Sequence, residues 1–473
     1  MRKSPIVYLL FFISGITALV YEIVWTRMLT LVFGHTVFSV SIVLAAFMAG
    51  LGLGSYLFGY AIDHLPETNS SSSGGDVPAA LLIYGWVEIL ICVSGVLLSL
   101  LFANFSGIYA SLHSFIPESI PLQNLIKIVF AFGLMLIPTT FMGATLPIMS
   151  KYCVTDDSKI GTQVSLLYAL NTLGAASGCL ITGFFLMGTF GVLQTVLLAA
   201  GANLLIGVGA LSIYVETVPG ANWKFRLPSL RIPRMSWNTD QKFWMGISFI
   251  CGFTALAYEV LWTRLLVFSI SSTVYSFSMM LTVFLLGIFL GSLLLIPLAG
   301  RIHNVRTFLL ILQGGTGLYV IASIYGLESI LSAPWNSYNL TQPASAFLRY
   351  FKDSAGLMLI PTLLLGMCFP LLIKTVSGGH QNVGKATGQI YSANTFGAIW
   401  GSLCAGFLFL PNLGSQVSLT LVATLNLLTM VLLFRTGNYL TLPVRKGLTV
   451  VFAAVILFVN MAIPNDLLNS FFM

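Results

Sequence analysis

Charged side chains are scarce in this chain. Only 7% of its 473 residues are Asp, Glu, Lys or Arg, whereas 57% are hydrophobic. Soluble domains carry about a quarter charged residues, so the composition excludes a water-soluble globular protein and predicts a polytopic membrane protein. The first apolar stretch follows Arg2 and Lys3 and continues to Phe33 without a small-residue cleavage site. We therefore expect a retained first transmembrane helix, not a signal peptide.

Paired cysteines and histidines with metal-ligand spacing are also missing. The six cysteines fall mostly inside apolar stretches, and the five histidines are scattered. This pattern predicts neither a disulfide framework nor a metal site, and we expect no cofactor. The net charge of +7 does not indicate nucleic-acid binding, because the basic residues lie in loops on one predicted membrane face.

Thirteen stretches are long and apolar enough, at about 20 residues each, to cross a bilayer as helices. With a cytoplasmic N-terminus, 16 of the 21 Lys and Arg residues fall on the inner side and three on the outer side. This asymmetry predicts that the N-terminus lies in the cytoplasm. We expect the protein to lie in a bacterial inner (cytoplasmic) membrane. The expected divisions are a six-helix bundle (1–215), a basic cytoplasmic linker (216–242), a second six-helix bundle (243–435) and an extra helix with a short tail (436–473). Thirteen spans would leave the C-terminus outside.

The second half of the chain repeats the first. Residues 15–29 read GITALVYEIVWTRML, and residues 252–266 read GFTALAYEVLWTRLL. Both copies keep a glutamate and an arginine inside an apolar stretch, at Glu22 and Arg27 and at Glu259 and Arg264. Ionisable residues within a membrane span cost several kcal/mol unless they face a partner or water, so they indicate function. The alternative is that each glutamate is neutralised by a local arginine and only joins helices.

Further repeated residues complete the candidate site. Trp25 and Trp262 share the helical stripe of the glutamates, because they follow them by three residues. Polar residues in the fifth and eleventh spans need partners in hydrocarbon, and the sequence leaves open whether these are interhelical hydrogen bonds or substrate contacts. These residues are Tyr168, Tyr391, Asn171 and Asn394. Glu88 has no clear counterpart in the second half and ranks below the repeated pair.

The fourth and tenth spans each carry a Gly-x-x-x-Pro motif. Pro147 and Pro370 cannot donate a hydrogen bond to the carbonyl groups of Gly143 and Gly366, four residues earlier. Recurrence in both halves favours a hinge or a cavity lining over a kink that only shapes packing.

Rows of glycines in several spans are typical of close helix packing. They include Gly50 and Gly54, and their repeats Gly287 and Gly291. We expect such rows to join the halves, with the second span against the eleventh and the fifth against the eighth.

The expected fold is an all-α polytopic membrane protein. Corresponding spans enter from the same side, so the halves form two parallel six-helix repeats about an axis normal to the membrane, plus one extra C-terminal helix. Among transporters this is the major-facilitator arrangement. The basic signature of that fold between the second and third spans is reduced here to Gly59 and Asp63 without arginines, which argues against its ordinary gating.

The motifs YEIVWTRML, YEVLWTRLL and LIPTTFMGATLP resemble the membrane part of fused spermidine-synthase-like proteins. In that family a major-facilitator-like bundle precedes a soluble aminopropyltransferase-type domain. This chain contains no glycine-rich nucleotide-binding turn after its last span. Because the chain departs from the family in this respect, we expect no enzyme activity for this polypeptide, whereas the resemblance suggests a polyamine as a substrate.

Three functions remain open. The first is a secondary transporter of a small cationic metabolite, in which a carboxylate balanced between burial and a nearby cation exchanges a proton for the substrate. The second is a membrane scaffold that docks a separate soluble synthase-like enzyme. The third is a transporter of an unrelated lipid or peptide. Carboxylates that face a cavity favour the first, a closed dry core the second, and an apolar side opening the third.

Overall fold

In the computed structural model, nearly all described residues are helical. The structure describes residues 5–33, 37–64, 76–104, 107, 120–217, 238–270, 274–327 and 343–437. Most of the predicted linker (218–237) and the predicted thirteenth span with its tail (from 438 onward) lie outside the described residues.

The described part of the first half contains six α-helices. They are α1 (Pro5–Phe33), α2 (Val37–Asp63), α3 (Asp76–Ala103), α4 (Ile120–Cys153), α5 (Ile160–Ile181) and α6 (Met187–Thr217). The described part of the second half also contains six, namely α7 (Thr239–Ile270), α8 (Val274–Leu298), α9 (Val305–Tyr325), α10 (Pro343–Ser377), α11 (Val383–Leu403) and α12 (Leu410–Thr436).

Two of these helices continue into the next through a π-helical turn. The turns are Thr182–Leu186 before α6 and Cys404–Phe409 before α12. Hydrogen bonding is therefore nearly continuous over stretches of 61 and 57 residues, and the described residues contain ten stretches able to cross a membrane. A straight helix of about 60 residues would be roughly 90 Å long, three times the thickness of the apolar core. Each long stretch instead turns at a glycine in the left-handed region, Gly191 (φ 77°) or Gly414 (φ 72°).

Corresponding helices of the two halves pack in the same pattern. In the first half α1 contacts α5, α2 contacts α4 and α3 contacts α6, and the second half repeats these contacts as α7–α11, α8–α10 and α9–α12. The halves meet through α2 against α11 and α5 against α8. The prediction of which helices join the halves is confirmed.

The prediction of which glycines make that contact is wrong. A Cβ on Gly54 would lie 1.7 Å from the Thr140 carbonyl oxygen, and one on Gly291 would lie 2.0 Å from that of Leu363. These glycines therefore bring α2 against α4 and α8 against α10, within each half. The contact between α2 and α11 uses Gly59 instead, whose Cβ would be 2.7 Å from Gly388.

Candidate functional site

A cavity of about 200 Å³ lies between the two halves. Its walls come from α1, α2, α4 and α5 of the first half and from α7, α8, α10 and α11 of the second, with single residues from α3 and α6. Glu22 on α1 and Glu259 on α7 both line it. The glutamate that is repeated in each half of the sequence therefore contributes one carboxylate to a single shared cavity.

The two carboxylates are nearly isolated from solvent and from cations. Glu22 is 5% exposed and Glu259 is 6% exposed, and they are close enough to repel each other electrostatically. Neither glutamate belongs to an ion pair within the described part of the chain. The expected alternative of a Glu22–Arg27 or Glu259–Arg264 ion pair is therefore not what the structure contains. Arg27 and Arg264 do not line the cavity.

Aromatic rings cover the wall of the cavity on the α5, α10 and α11 side. The Tyr168 ring lies 4.6 Å from the Phe369 ring, and the Phe369 ring lies 5.6 Å from that of Tyr391, measured between centroids. Asn171 and Asn394 also line the cavity. The Asn394 side-chain amide donates to the Ser248 carbonyl at 3.2 Å, so this asparagine both joins helices and borders the cavity.

Trp25 and Trp262 lie outside the cavity lining. The Trp25 indole N–H donates to the Ser99 hydroxyl at 2.8 Å and its ring stacks on Tyr21 at 5.0 Å. Trp262 stacks on Tyr258 at 4.9 Å. Both indoles are fully buried, and their contacts are those of packing side chains one turn beyond the glutamates.

The glycines of the proline motifs also lie outside the cavity lining. A Cβ on Gly143 would be 2.1 Å from the Leu51 carbonyl oxygen, and one on Gly366 would be 2.4 Å from that of Ile288. The Gly366 carbonyl, which Pro370 cannot bond, accepts a hydrogen bond from the Ser292 hydroxyl at 3.0 Å. The motif therefore does not contribute to the lining of this cavity, and a hinge at Pro147 or Pro370 stays a prediction.

Charged residues connect the halves at one end of the bundle. Asp63 at the end of α2 pairs with Lys151 of α4 at 3.0 Å and accepts a hydrogen bond of 2.6 Å from the backbone N–H of Lys385 at the start of α11. Lys151 also donates to the Gln381 carbonyl at 2.7 Å. A carboxylate at a helix N-terminus is stabilised by the helix dipole. Lys151 thus places a positive charge beside Asp63, in the segment after α2 where the basic signature of the major-facilitator fold is reduced.

A polar contact that the sequence did not rank highly lies behind the cavity wall. The Asn203 amide on α6 donates to the Glu88 carboxylate on α3 at 2.6 Å. In the second half, Asn426 donates to Gln313 at 2.6 Å. Asn203 and Asn426 are 223 residues apart, the same offset as the repeated tyrosines of α5 and α11, and this regularity could have identified the pair.

Similarity to solved structures is extensive in shape and weak in sequence. A bacterial homologue of the iron transporter ferroportin, in an outward-facing state with soaked iron, aligns with a TM-score of 0.58 at 12% identity, over 92% of this chain and 98% of that one. The proton:xylose symporter XylE of the major facilitator superfamily aligns with a TM-score of 0.53 at 12% identity, over 91% and 95%. The chain therefore has a major-facilitator-like membrane fold.

Similarity to known sequences is distant and partial. Polyamine aminopropyltransferase 1 of Streptomyces coelicolor is 26% identical over 215 residues, which cover 44% of this chain and 37% of the relative's length. No protein-family model matches the chain.

Proposed function

We propose that this protein is a secondary transporter of a small organic cation, with a polyamine as the favoured substrate. The observation that carries the proposal is the pair Glu22 and Glu259, buried in one cavity between the halves without an ion-pair partner in the described part of the chain. Buried charges are normally paired. A substrate with two amino groups would supply the missing partners.

The rest of the cavity wall suits an alkylammonium ion. The faces of Tyr168, Phe369 and Tyr391 offer cation–π contacts, each worth about 0.5–2 kcal/mol depending on desolvation. The amides of Asn171 and Asn394 can accept ammonium hydrogen bonds. A cavity of about 200 Å³ is smaller than the roughly 300–1,000 Å³ of typical drug-sized sites, which favours a slender metabolite over a lipid or a peptide.

Two six-helix repeats, 1–215 and 243–435, would move against each other in alternating access. The repeated contacts and the shared cavity support this division, and the extra helix in 436–473 would stand outside the two bundles. In the expected orientation, with the N-terminus in the cytoplasm of a bacterium, the Asp63–Lys151–Lys385 contact would close the cytoplasmic end. Glu22 and Glu259 would bind protons when the cavity holds no substrate and release them when the cation binds. This exchange would couple transport to protons.

The second candidate is a scaffold for a separate synthase-like enzyme, favoured by the partial similarity to an aminopropyltransferase. A scaffold does not need a pair of unpaired carboxylates in a cavity. This is why the transporter is the preferred proposal, and the scaffold would be the conclusion if the cavity binds no cation.

Equilibrium binding of radiolabelled spermidine to the purified protein tests the proposal. We expect Glu22→Gln and Glu259→Gln each to weaken binding, because a hydrogen bond to a charged group is worth about 1.5–3 kcal/mol, or roughly ten- to a hundredfold in Kd. Glu216→Gln is the matched control, since this carboxylate is exposed at the end of α6 and should leave Kd unchanged. Equal Kd values for all four proteins would remove the cavity carboxylates from the binding site.

A further inference from the structure

Glu88 is a further carboxylate buried inside the bundle. It is 0% exposed on α3, and it lies behind the cavity wall formed by Ser14 of α1 and Asn203 of α6. Asn203 donates to one of its carboxylate oxygens at 2.6 Å, and the Ser14 hydroxyl lies beside it. Glu88 therefore touches two residues whose other sides face the cavity.

The second half contains a neutral version of the same cluster. Gln313 takes the place of Glu88, Asn426 that of Asn203 and Cys251 that of Ser14. Its hydrogen bonds are complete: Asn426 donates to Gln313 at 2.6 Å, Gln313 donates to the Cys251 sulfur at 3.1 Å, and the Tyr258 hydroxyl donates to the Asn426 oxygen at 2.8 Å. Every one of these groups is uncharged.

The cluster around Glu88 leaves several buried polar atoms without a hydrogen-bond partner among the described residues. Within the described ranges, Oε1 of Glu88 and Oδ1 of Asn203 have no hydrogen-bond partner, although both atoms are buried. Tyr21, the counterpart of Tyr258, lies near Glu88 but its hydroxyl is likewise without a partner. The remaining titratable group that faces the carboxylate is Tyr84 on its own helix. No ion pair to Glu88 occurs in the described part of the chain.

We propose that Glu88 is a proton-binding site, separate from the Glu22–Glu259 pair, that senses cation binding in the cavity through Asn203 and Ser14. A proton on Glu88 removes a buried charge that has no ion-pair partner, which is costly, and it turns a carboxylate oxygen into a further donor in a cluster where the Asn203 oxygen is unpaired. A cation that enters the cavity favours the charged form of a nearby carboxylate. Substrate binding therefore releases this proton. The coupling rests on the proposed transport function, whereas proton binding by Glu88 does not.

Infrared difference spectra of the purified protein between mildly alkaline and mildly acidic pH test proton binding directly. The wild type should gain a carbonyl band of a protonated carboxylic acid that Glu88→Gln lacks, while Glu22→Gln keeps it. Gln at this position reproduces the chemistry of Gln313, so we expect a folded protein. If Glu88→Gln does not fold, Glu88→Asp replaces it, because it keeps the carboxyl group but should move the band. An unchanged carbonyl region in whichever variant folds would overturn the assignment.

Proton release on addition of spermidine, followed with an indicator dye in weakly buffered solution, tests the coupling. Glu88→Gln should bind spermidine yet release fewer protons per bound molecule than the wild type and the control Glu216→Gln. Equal release per bound molecule would refute the coupling. If the wild type binds no spermidine, the transport proposal fails while the infrared result on Glu88 stands.

Discussion

Ser55 and Ser292 show how equivalent residues in the two halves acquire different roles. They are 237 residues apart in the sequence and both are fully buried. The Ser292 hydroxyl bonds to the Gly366 carbonyl that Pro370 leaves without a helical donor, at 3.0 Å, and to the Ile288 carbonyl at 2.9 Å. The Ser55 hydroxyl has no hydrogen-bond partner among the described residues.

This difference predicts unequal costs for the same substitution. Ser292→Ala should lower the free energy of unfolding by about 1–3 kcal/mol, because it leaves a buried carbonyl without its partner. Ser55→Ala removes a hydroxyl that is not bonded and should cost little or even stabilise the protein. Thermal unfolding of both variants in one detergent compares them. Equal losses of stability would show that the Ser292–Gly366 bond contributes nothing.

The glutamates and the tryptophans show what a residue pattern can and cannot predict. A helical stripe predicts the direction in which side chains project. It predicted that Glu22 and Glu259 face the protein interior, and both line the cavity between the halves. It does not give the length of the cavity along the helix. Trp25 lies one turn beyond Glu22, where α1 packs against Ser99 of α3, so the same stripe changes from cavity wall to packed core.

At the scale of the helices, the glycine rows act within each half. The small-residue face of α2 was visible in the sequence, but its spacing says only that some backbone approaches closely. The partner depends on the path of the whole chain. The structure shows that Gly54 lies against Thr140 of α4 and that the contact to α11 passes through Gly59.

Gly54→Leu should therefore destabilise the first half itself. Its Cβ would lie 1.7 Å from the Thr140 carbonyl oxygen, so α2 and α4 must separate, at a cost above the roughly 1–3 kcal/mol of ordinary overpacking. Gly133→Leu is the matched control, because Gly133 is exposed on α4 and a Cβ added there would meet nothing within 4 Å. The melting temperature in detergent should fall sharply for the first variant only. Similar melting temperatures for both would mean that α2 and α4 do not need this close approach.

At the scale of the molecule, the repeat predicted most of the fold. The repeated motifs identified corresponding helices, and their contacts recur in the structure as α1–α5 with α7–α11 and α2–α4 with α8–α10. The contact of Asp63 with Lys151 and Lys385 could not be predicted in this way. It has no repeated counterpart, since the position equivalent to Asp63 is Gly300, and it joins residues distant in sequence through the final packing of the halves.

An asymmetric contact of this kind suits a transporter that closes one end of its cavity. The Asp157 carboxylate adds a second link there, to the His380 backbone N–H at 2.6 Å and to its ring at 2.5 Å. The Asp157–His380 pair is exposed, and exposed pairs contribute only about 0–1 kcal/mol, so this link can break when the halves move. The proposed alternating access requires that the contacts between the two halves at this end break in each cycle.

Uptake of radiolabelled spermidine by proteoliposomes, with a pH gradient imposed in either direction, tests the central claim most directly. Wild-type protein and Glu216→Gln should accumulate spermidine above the external concentration under one direction of the gradient, and a protonophore should abolish this accumulation. Glu22→Gln and Glu259→Gln should reconstitute equally well and accumulate none. Uptake by the wild type no faster than by protein-free liposomes under both gradients, or full uptake by the two glutamine variants, would contradict the account.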